Sequence, residues 1–204
     1  GIGVTLDFFQ NSSNSFKYSI LNIYILSMEN LKEYDAFGKK KCMFIHGLGG
    51  RINGQRIRIL RDAGYDVNYP YINFDMEWER DKCKQVFNKL SRITTNMDVI
   101  IGTSLGGYMA YELAKKVGKP VILINPALDR DRTLLKIKHF DIEKGNKKID
   151  IELYQGEKDV TVPPNIATKY LDRIGEDYKL VMIPDMAHRC PIPYFISIVD
   201  QSVI

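Results

Sequence analysis

The segment "DVIIGTSLGGYMA", residues 98–110, runs an apolar strand directly into a helix with almost no loop between them. A turn this sharp strains the backbone of its central residue, and it leaves no room for Cβ atoms two positions to either side. Gly102 and Gly106 occupy those two positions, with Ser104 between them. The bare pattern also fits an ordinary glycine-rich turn, but its place between strand and helix favours a nucleophile elbow.

The amino-acid composition is typical of a globular protein of one domain. The chain has 204 residues, of which 45% are hydrophobic and 26% charged, as expected for one globular domain. The net charge is only +4 and no long basic run occurs, which argues against a nucleic-acid-binding protein. The three cysteines are scattered and match neither a metal site nor a disulfide framework. We therefore expect no metal and a reducing, cytoplasmic location.

The N-terminal region carries the only segment that could suggest a membrane. Residues 19–26 are apolar, but they are too few to span a bilayer, and no signal-peptide cleavage pattern follows them. We expect no membrane partner. Residues 1–40 are interpreted as an N-terminal extension or one or more edge strands, in part vector-derived, because Met28 begins a stretch that would itself make a normal cytosolic start.

From residue 41 onward, short apolar runs alternate with helical patterns. The predicted strands cover residues 41–46, 65–72, 97–102, 120–127, 149–159 and 177–184. The predicted helices cover residues 53–64, a stripe from Cys83 to Ile93, 107–118, 164–175 and 194–203. This alternation predicts an α/β fold, with a doubly wound, mostly parallel sheet and helices on both faces.

Polar and glycine-rich segments follow the predicted strands, where open α/β sheets bind their ligands. These segments are "HGLGG", "GTSLGG", "NPALD", "GEKD" and "PDMAH". A serine hydroxyl is a weak nucleophile, so it needs a base, and the base needs an orienting carboxylate. The base and the carboxylate that would partner Ser104 are therefore expected in these segments.

His188 is the best candidate for the base. It follows the last predicted strand and comes after the serine and the candidate acids, the chain order found in doubly wound hydrolases. His139 is weaker, because it lies in a segment that interrupts the strand pattern. His46 ends the first strand and is interpreted as a structural residue that braces the following loop.

Asp159 is the favoured acid, because it ends a strand and precedes prolines that cannot continue the ladder. Asp129, after the preceding strand, is the rival. An oxyanion hole requires two backbone donors, and losing one costs about 3 kcal/mol of transition-state stabilisation. We expect the N–H groups of Leu105, at the elbow, and of Leu48, in the "HGLGG" loop.

Taken together, "HGLGG", "GTSLGGYMA", "INPAL", "GEKDVTVP" and "MAH" resemble the α/β-hydrolase superfamily, and more narrowly the small bacterial YqiA-like esterases with little or no cap domain. The resemblance covers roughly residues 41–203. It implies an eight-strand-type sheet trimmed at its N-terminal side, and hydrolysis of esters or thioesters without a cofactor. By family position, Ser104 matches the nucleophile, Asp159 the acid and His188 the base.

We expect one catalytic domain preceded by the N-terminal extension. Residues 41–204 form an α/β-hydrolase domain with a minimal cap, namely a short lid-like insertion at 129–149 that carries seven basic and four acidic side chains. A plain crossover helix is the alternative for that insertion. The expected function is a serine hydrolase that cleaves small-molecule carboxylic esters of small or medium acyl groups through an acyl-enzyme. The alternatives are a thioesterase or acyltransferase, and a non-catalytic hydrolase-fold binding protein.

Overall fold

In the computed structural model, residues 39–50, 53–72, 74, 80–129, 142 and 144–204 are described. Almost all of the predicted N-terminal extension, residues 1–40, lies outside this part of the chain. So does most of the predicted insertion at 129–149. The edge strand and the lid expected there stay predictions.

A six-stranded parallel sheet forms the centre of the described structure, in the order β2-β1-β3-β4-β5-β6. Its strands are β1 (Lys40–Ile45), β2 (Tyr65–Asn68), β3 (Val99–Thr103), β4 (Val121–Ile124), β5 (Ile151–Gly156) and β6 (Lys179–Ile183). The predicted doubly wound α/β fold is thereby confirmed, with every described strand pair parallel. Because the chain winds outward from β1 to β2 and then reverses to β3, the ligand-binding crevice of such a sheet lies where β1 and β3 end.

In the part of the chain that the structure describes, five helices cover the two faces of the sheet. They are α1 (Gly54–Asp62), α2 (Arg80–Thr94), α3 (Leu105–Val117), α4 (Pro164–Ile174) and α5 (Ile192–Gln201). The cluster on one face contains Ile57 of α1 and Phe195 of α5. The cluster on the other contains Phe87 of α2, Met109 of α3 and Leu171 of α4. Within the described residues, no helix is both long enough and apolar enough to cross a membrane.

The central strands are apolar on both sides because both faces are covered. In β4, Val121 and Leu123 contribute to one core, while Ile122 and Ile124 contribute to the other. All four side chains are buried. Continuous apolar runs of this kind are typical of parallel sheets, in which alternate side chains point to opposite faces.

Several predicted boundaries differ from the observed ones, and the reason is local backbone geometry. The fourth strand was expected to reach residue 127, but it ends at Ile124, because Asn125 has a φ of 46° and leaves the extended conformation. The helix expected from residue 107 begins at Leu105, directly after Ser104. The second strand ends at Asn68 rather than residue 72, shortly before Pro70, which has no N–H to donate.

Backbone packs directly on backbone where the β3–α3 turn meets the end of β1. A Cβ atom on Gly106 would lie 2.2 Å from the carbonyl oxygen of His46 and 2.5 Å from that of Ile45. A Cβ atom on Gly102 would lie 2.5 Å from the side chain of Ala110 and equally close to the carbonyl oxygen of Gly106. The two glycines predicted from the elbow pattern are therefore required by the packing between strand and helix.

Replacing Gly106 by alanine is expected to lower the free energy of unfolding by about 2 kcal/mol or more, because the neighbouring atoms are backbone and cannot rotate away. Urea denaturation measures the change. Gly54→Ala is the matched control, since no heavy atom from another described segment lies within 4 Å of its Cβ position. Equal stability of the two variants would show that the strand–helix contact is looser than described.

Candidate active site

Ser104 occupies a strained position between β3 and α3, with φ 54° and ψ −122°. Its N–H donates to the carbonyl oxygen of Ile124 at 3.0 Å, and its own carbonyl accepts from the N–H groups of Gly107 at 3.0 Å and Ala127 at 2.9 Å. A backbone conformation this rare for a residue with a side chain costs on the order of 1–3 kcal/mol. The backbone hydrogen bonds with Ile124, Gly107 and Ala127 hold Ser104 in this conformation.

His188 reaches this serine from the loop after β6. Its Nε2 atom lies 2.8 Å from Ser104 Oγ, a hydrogen-bond distance, although the two residues are 84 positions apart in the sequence. Ser104 is buried, and the side chain of His188 is 20% exposed. The base predicted from the sequence is therefore in contact with the predicted nucleophile and remains reachable from solvent.

Asp159 completes a hydrogen-bonded line. Its Oδ2 lies 2.8 Å from Nδ1 of His188, and its Oδ1 accepts from the N–H groups of Thr161 at 2.9 Å and Val162 at 2.8 Å. The carboxylate is fully buried, so these donors both solvate it and fix its direction. A carboxylate at Nδ1 favours the tautomer with a proton on that nitrogen, which leaves Nε2 free to accept the serine proton.

The other candidates occupy different places. Asp129 forms an ion pair with Arg173 at 3.3 Å and is not the carboxylate that contacts His188. His46 uses both ring nitrogens structurally, since Nε2 accepts from the N–H of Ile72 at 3.1 Å and Nδ1 lies 2.8 Å from the carbonyl oxygen of Gly47. His139 lies outside the described residues.

The loop after β1 lies against the nucleophile. A Cβ atom on Gly47 would lie 2.9 Å from Ser104 Cβ, and Leu48 is the next residue of this loop. Leu105 is the first residue of α3, where helix N–H groups have no partner within the helix. Both predicted oxyanion donors therefore belong to segments that adjoin Ser104, and their role stays a prediction.

We also considered a cysteine nucleophile and a metal site near Ser104 and His188. Cys190 lies two residues after His188, but burial raises the pKa of its thiol to about 11, although the nearby Arg56 partly opposes this shift. The thiol is therefore protonated, and so weakly nucleophilic, at neutral pH. Among the described residues, no group of three or more His, Cys, Asp or Glu side chains could hold a metal ion.

One site residue was not assigned a role from the sequence. Asn125, within "INPAL", is buried at the end of β4, and its side-chain amide contacts the loop that carries His188. The available signal was an amide placed directly after a fully apolar strand, at the edge of the sheet where ligands bind.

A family model described as "Uncharacterised protein family (UPF0227)" matches residues 55–173, more than half of the chain. The chain belongs to this family. The region that UPF0227 matches includes Ser104 and Asp159 and ends before His188. None of the curated proteins matches the chain significantly.

Solved structures share the fold of this UPF0227 member at low sequence identity. A Xanthomonas campestris pv. campestris protein assigned to the alpha/beta hydrolase superfamily is 17% identical, with a TM-score of 0.56 over 80% of this chain and 97% of its own. Est1E from Butyrivibrio proteoclasticus is 17% identical, with a TM-score of 0.57 over 80% and 85% of the two chains. The monoacylglycerol lipase of Paleococcus ferrophilus is 15% identical, with a TM-score of 0.57 over 81% and 97%. These likenesses confirm the α/β-hydrolase type of fold that the sequence resemblance implies.

The strain at Ser104 predicts an unusual order of stabilities. In an ordinary helix, glycine is about 1 kcal/mol less favourable than alanine. At Ser104 the positive φ favours glycine, so Ser104→Gly should unfold at higher urea than Ser104→Ala. Ser197, inside α5, is the matched control and should show the ordinary order. The same order at both positions would contradict a strained elbow.

Proposed function

We propose that the chain is a serine hydrolase that cleaves carboxylic esters of small or medium acyl groups through an acyl-enzyme. One observation carries this proposal, the hydrogen-bonded line from Ser104 to His188 to Asp159, with both distances at 2.8 Å. Ser104, the first member of this line, lies at the turn between β3 and α3, which is the position of the nucleophile in hydrolases of this fold.

In the first half of the reaction, Ser104 Oγ attacks the ester carbonyl carbon while Nε2 of His188 takes the hydroxyl proton. The carboxylate of Asp159 stays ionised, and it stabilises the imidazolium and keeps the ring in the required orientation. The burial of Asp159 strengthens this interaction, because little water screens it.

The negative charge that develops on the carbonyl oxygen requires donors. The N–H groups of Leu105 and Leu48 are proposed for this role, and the positive end of the α3 dipole adds to the stabilisation. His188 then gives its proton to the leaving alcohol, which departs and leaves the acyl group on Ser104. Water activated by the same imidazole attacks the acyl-enzyme and frees the acid.

The choice of an ester substrate rests on the surroundings of Ser104 and on the related structures. Leu48 is 38% exposed and Tyr71, whose ring lies 5.7 Å from that of His46, is 59% exposed. We propose that these exposed side chains, on the loop after β1 and against His46, provide the apolar surface for the acyl group. The monoacylglycerol lipase, and the carboxylesterase Cest-2923 from Lactobacillus plantarum, supply the precedent for ester cleavage on this fold. The short lid at 129–149 remains part of the proposal.

Replacing Ser104 by alanine is expected to lower ester hydrolysis by at least about 10³-fold and to leave the fold intact, because the nucleophile alone is removed. A series of p-nitrophenyl esters and acyl thioesters of increasing chain length measures the activity. A fluorophosphonate probe, followed by peptide mass spectrometry, should label Ser104 in the unmodified protein. Failure to label it would favour a binding protein, whereas preference for thioesters would favour a thioesterase.

The acid is tested by two matched substitutions. Asp159→Asn should lower kcat by about 10³- to 10⁴-fold, because an amide cannot stabilise the imidazolium of His188. Asp129→Asn removes a charge that pairs with the half-exposed Arg173 rather than with His188, and it should change kcat less than about threefold. Steady-state kinetics on one ester decides between them. The larger loss at Asp129 would show that the acid follows β4.

A further inference from the structure

The side-chain amide of Asn125 lies between the strand ends that carry the proposed catalytic residues. It follows β4, which pairs with β3 on one side and β5 on the other. Its φ of 46° is a left-handed conformation that asparagine tolerates better than most residues. The residue is 1% exposed, so its amide can be satisfied only by neighbouring protein groups or a buried water.

The donor half of this amide binds the backbone of the base. Nδ2 of Asn125 donates to the carbonyl oxygens of Ala187 and His188, both at 3.0 Å. Both amide hydrogens are therefore used on two consecutive residues, one of which is the proposed base. An amide NH₂ carries two donors, and here both are directed at the same loop.

The acceptor half binds the strand that carries the acid. Oδ1 of Asn125 accepts from the N–H of Gly156 at 2.7 Å and from Nε2 of Gln155 at 3.3 Å. The same Nε2 atom lies 3.4 Å from the carbonyl oxygen of Val162. Since the N–H of Val162 donates to Asp159, the amide joins the base loop to the segment that fixes the acid.

The base loop has a second attachment one residue earlier. The carbonyl oxygen of Met186 accepts from the N–H of Lys158 at 3.1 Å, and it would lie 2.2 Å from a Cβ atom on Gly156. This contact holds the loop directly against the end of β5. Asn125 binds the next two residues, Ala187 and His188, and so fixes the backbone that carries the imidazole.

We propose that Asn125 is a positioning residue that holds His188 within hydrogen-bonding distance of both Ser104 and Asp159. The inference rests on the proposed function and adds to it the group that sets the geometry of the base. A displacement of about 1 Å in a catalytic group can cost about 10²-fold in rate. Asn125 therefore acts on kcat through His188, without touching the substrate.

Asn125→Asp tests this role with almost no change in shape. The carboxylate can still accept from Gly156, but it has no hydrogen to donate, and one of its oxygens would face two carbonyl oxygens. The base loop should move away from β4. We expect kcat to fall by about 10²-fold at unchanged KM, because substrate binding is not involved.

A second variant and a charge control accompany it. Asn125→Gly deletes the amide, while glycine adopts the positive φ without strain, so the fold should tolerate it better. It should lower kcat in the same way. Asn96→Asp adds the same charge at an exposed site after α2 and should leave kcat and KM unchanged.

A proton NMR measurement reports on His188 without catalysis. The Nδ1–H proton that bonds Asp159 should give a strongly downfield resonance in the unmodified protein and in Asn96→Asp, and Asp159→Asn identifies it by its loss. We expect this resonance to broaden or disappear in both Asn125 variants, while urea denaturation shows that at least one remains folded. If the unmodified protein cleaves no ester and is not labelled, the proposed function fails, yet the resonance still tests the position of His188.

An unchanged resonance and kcat in a folded Asn125 variant would overturn the proposal. Equal effects on kcat and KM with an intact resonance would also overturn it, because they would point to substrate binding. If neither variant folds, Asn125 is a general structural residue and the specific role is wrong.

Discussion

The direct contact between the β3–α3 turn and the end of β1 is the constraint around which the site is arranged. Gly106 brings helix backbone against the carbonyl groups of Ile45 and His46, and Gly47 brings the β1 loop against Ser104. No side chain separates these segments, so the serine cannot relax into an ordinary conformation. Its hydroxyl is instead directed into the crevice at the point where the sheet reverses its winding.

The order and type of the described elements could be predicted because both faces of the sheet are covered. Burial on two sides makes the central strands continuous apolar runs, and these are easily distinguished from amphipathic helices. Their ends were harder to predict. Asn125 stops β4 and Ser104 starts α3 through positive φ angles, which depend on contacts with other segments rather than on local composition.

Candidate site residues could be selected from the sequence where their position along the chain distinguishes them. Ser104 stands in a compact motif, and Asp159 and His188 follow strands in the expected order. Which of Asp159 and Asp129 contacts His188 depends on the paths of two loops, and position in the sequence alone does not give those paths. Asn125 was missed for the same reason. Its partners include His188 and Gly156, and nothing local to "INPAL" indicates that those backbone groups come within reach.

The all-parallel sheet also determines when the site comes into existence during synthesis. Every neighbouring strand pair needs a crossover, so all pairings within the sheet are non-local and folding is expected to be slow. The proposed nucleophile leaves the ribosome with β3, but the proposed base arrives only after β6. On the proposed mechanism, Ser104 lacks the imidazole of His188 until that edge strand has paired. A nascent chain should therefore be inert toward acyl donors, and acquisition of reactivity would report on completion of the sheet.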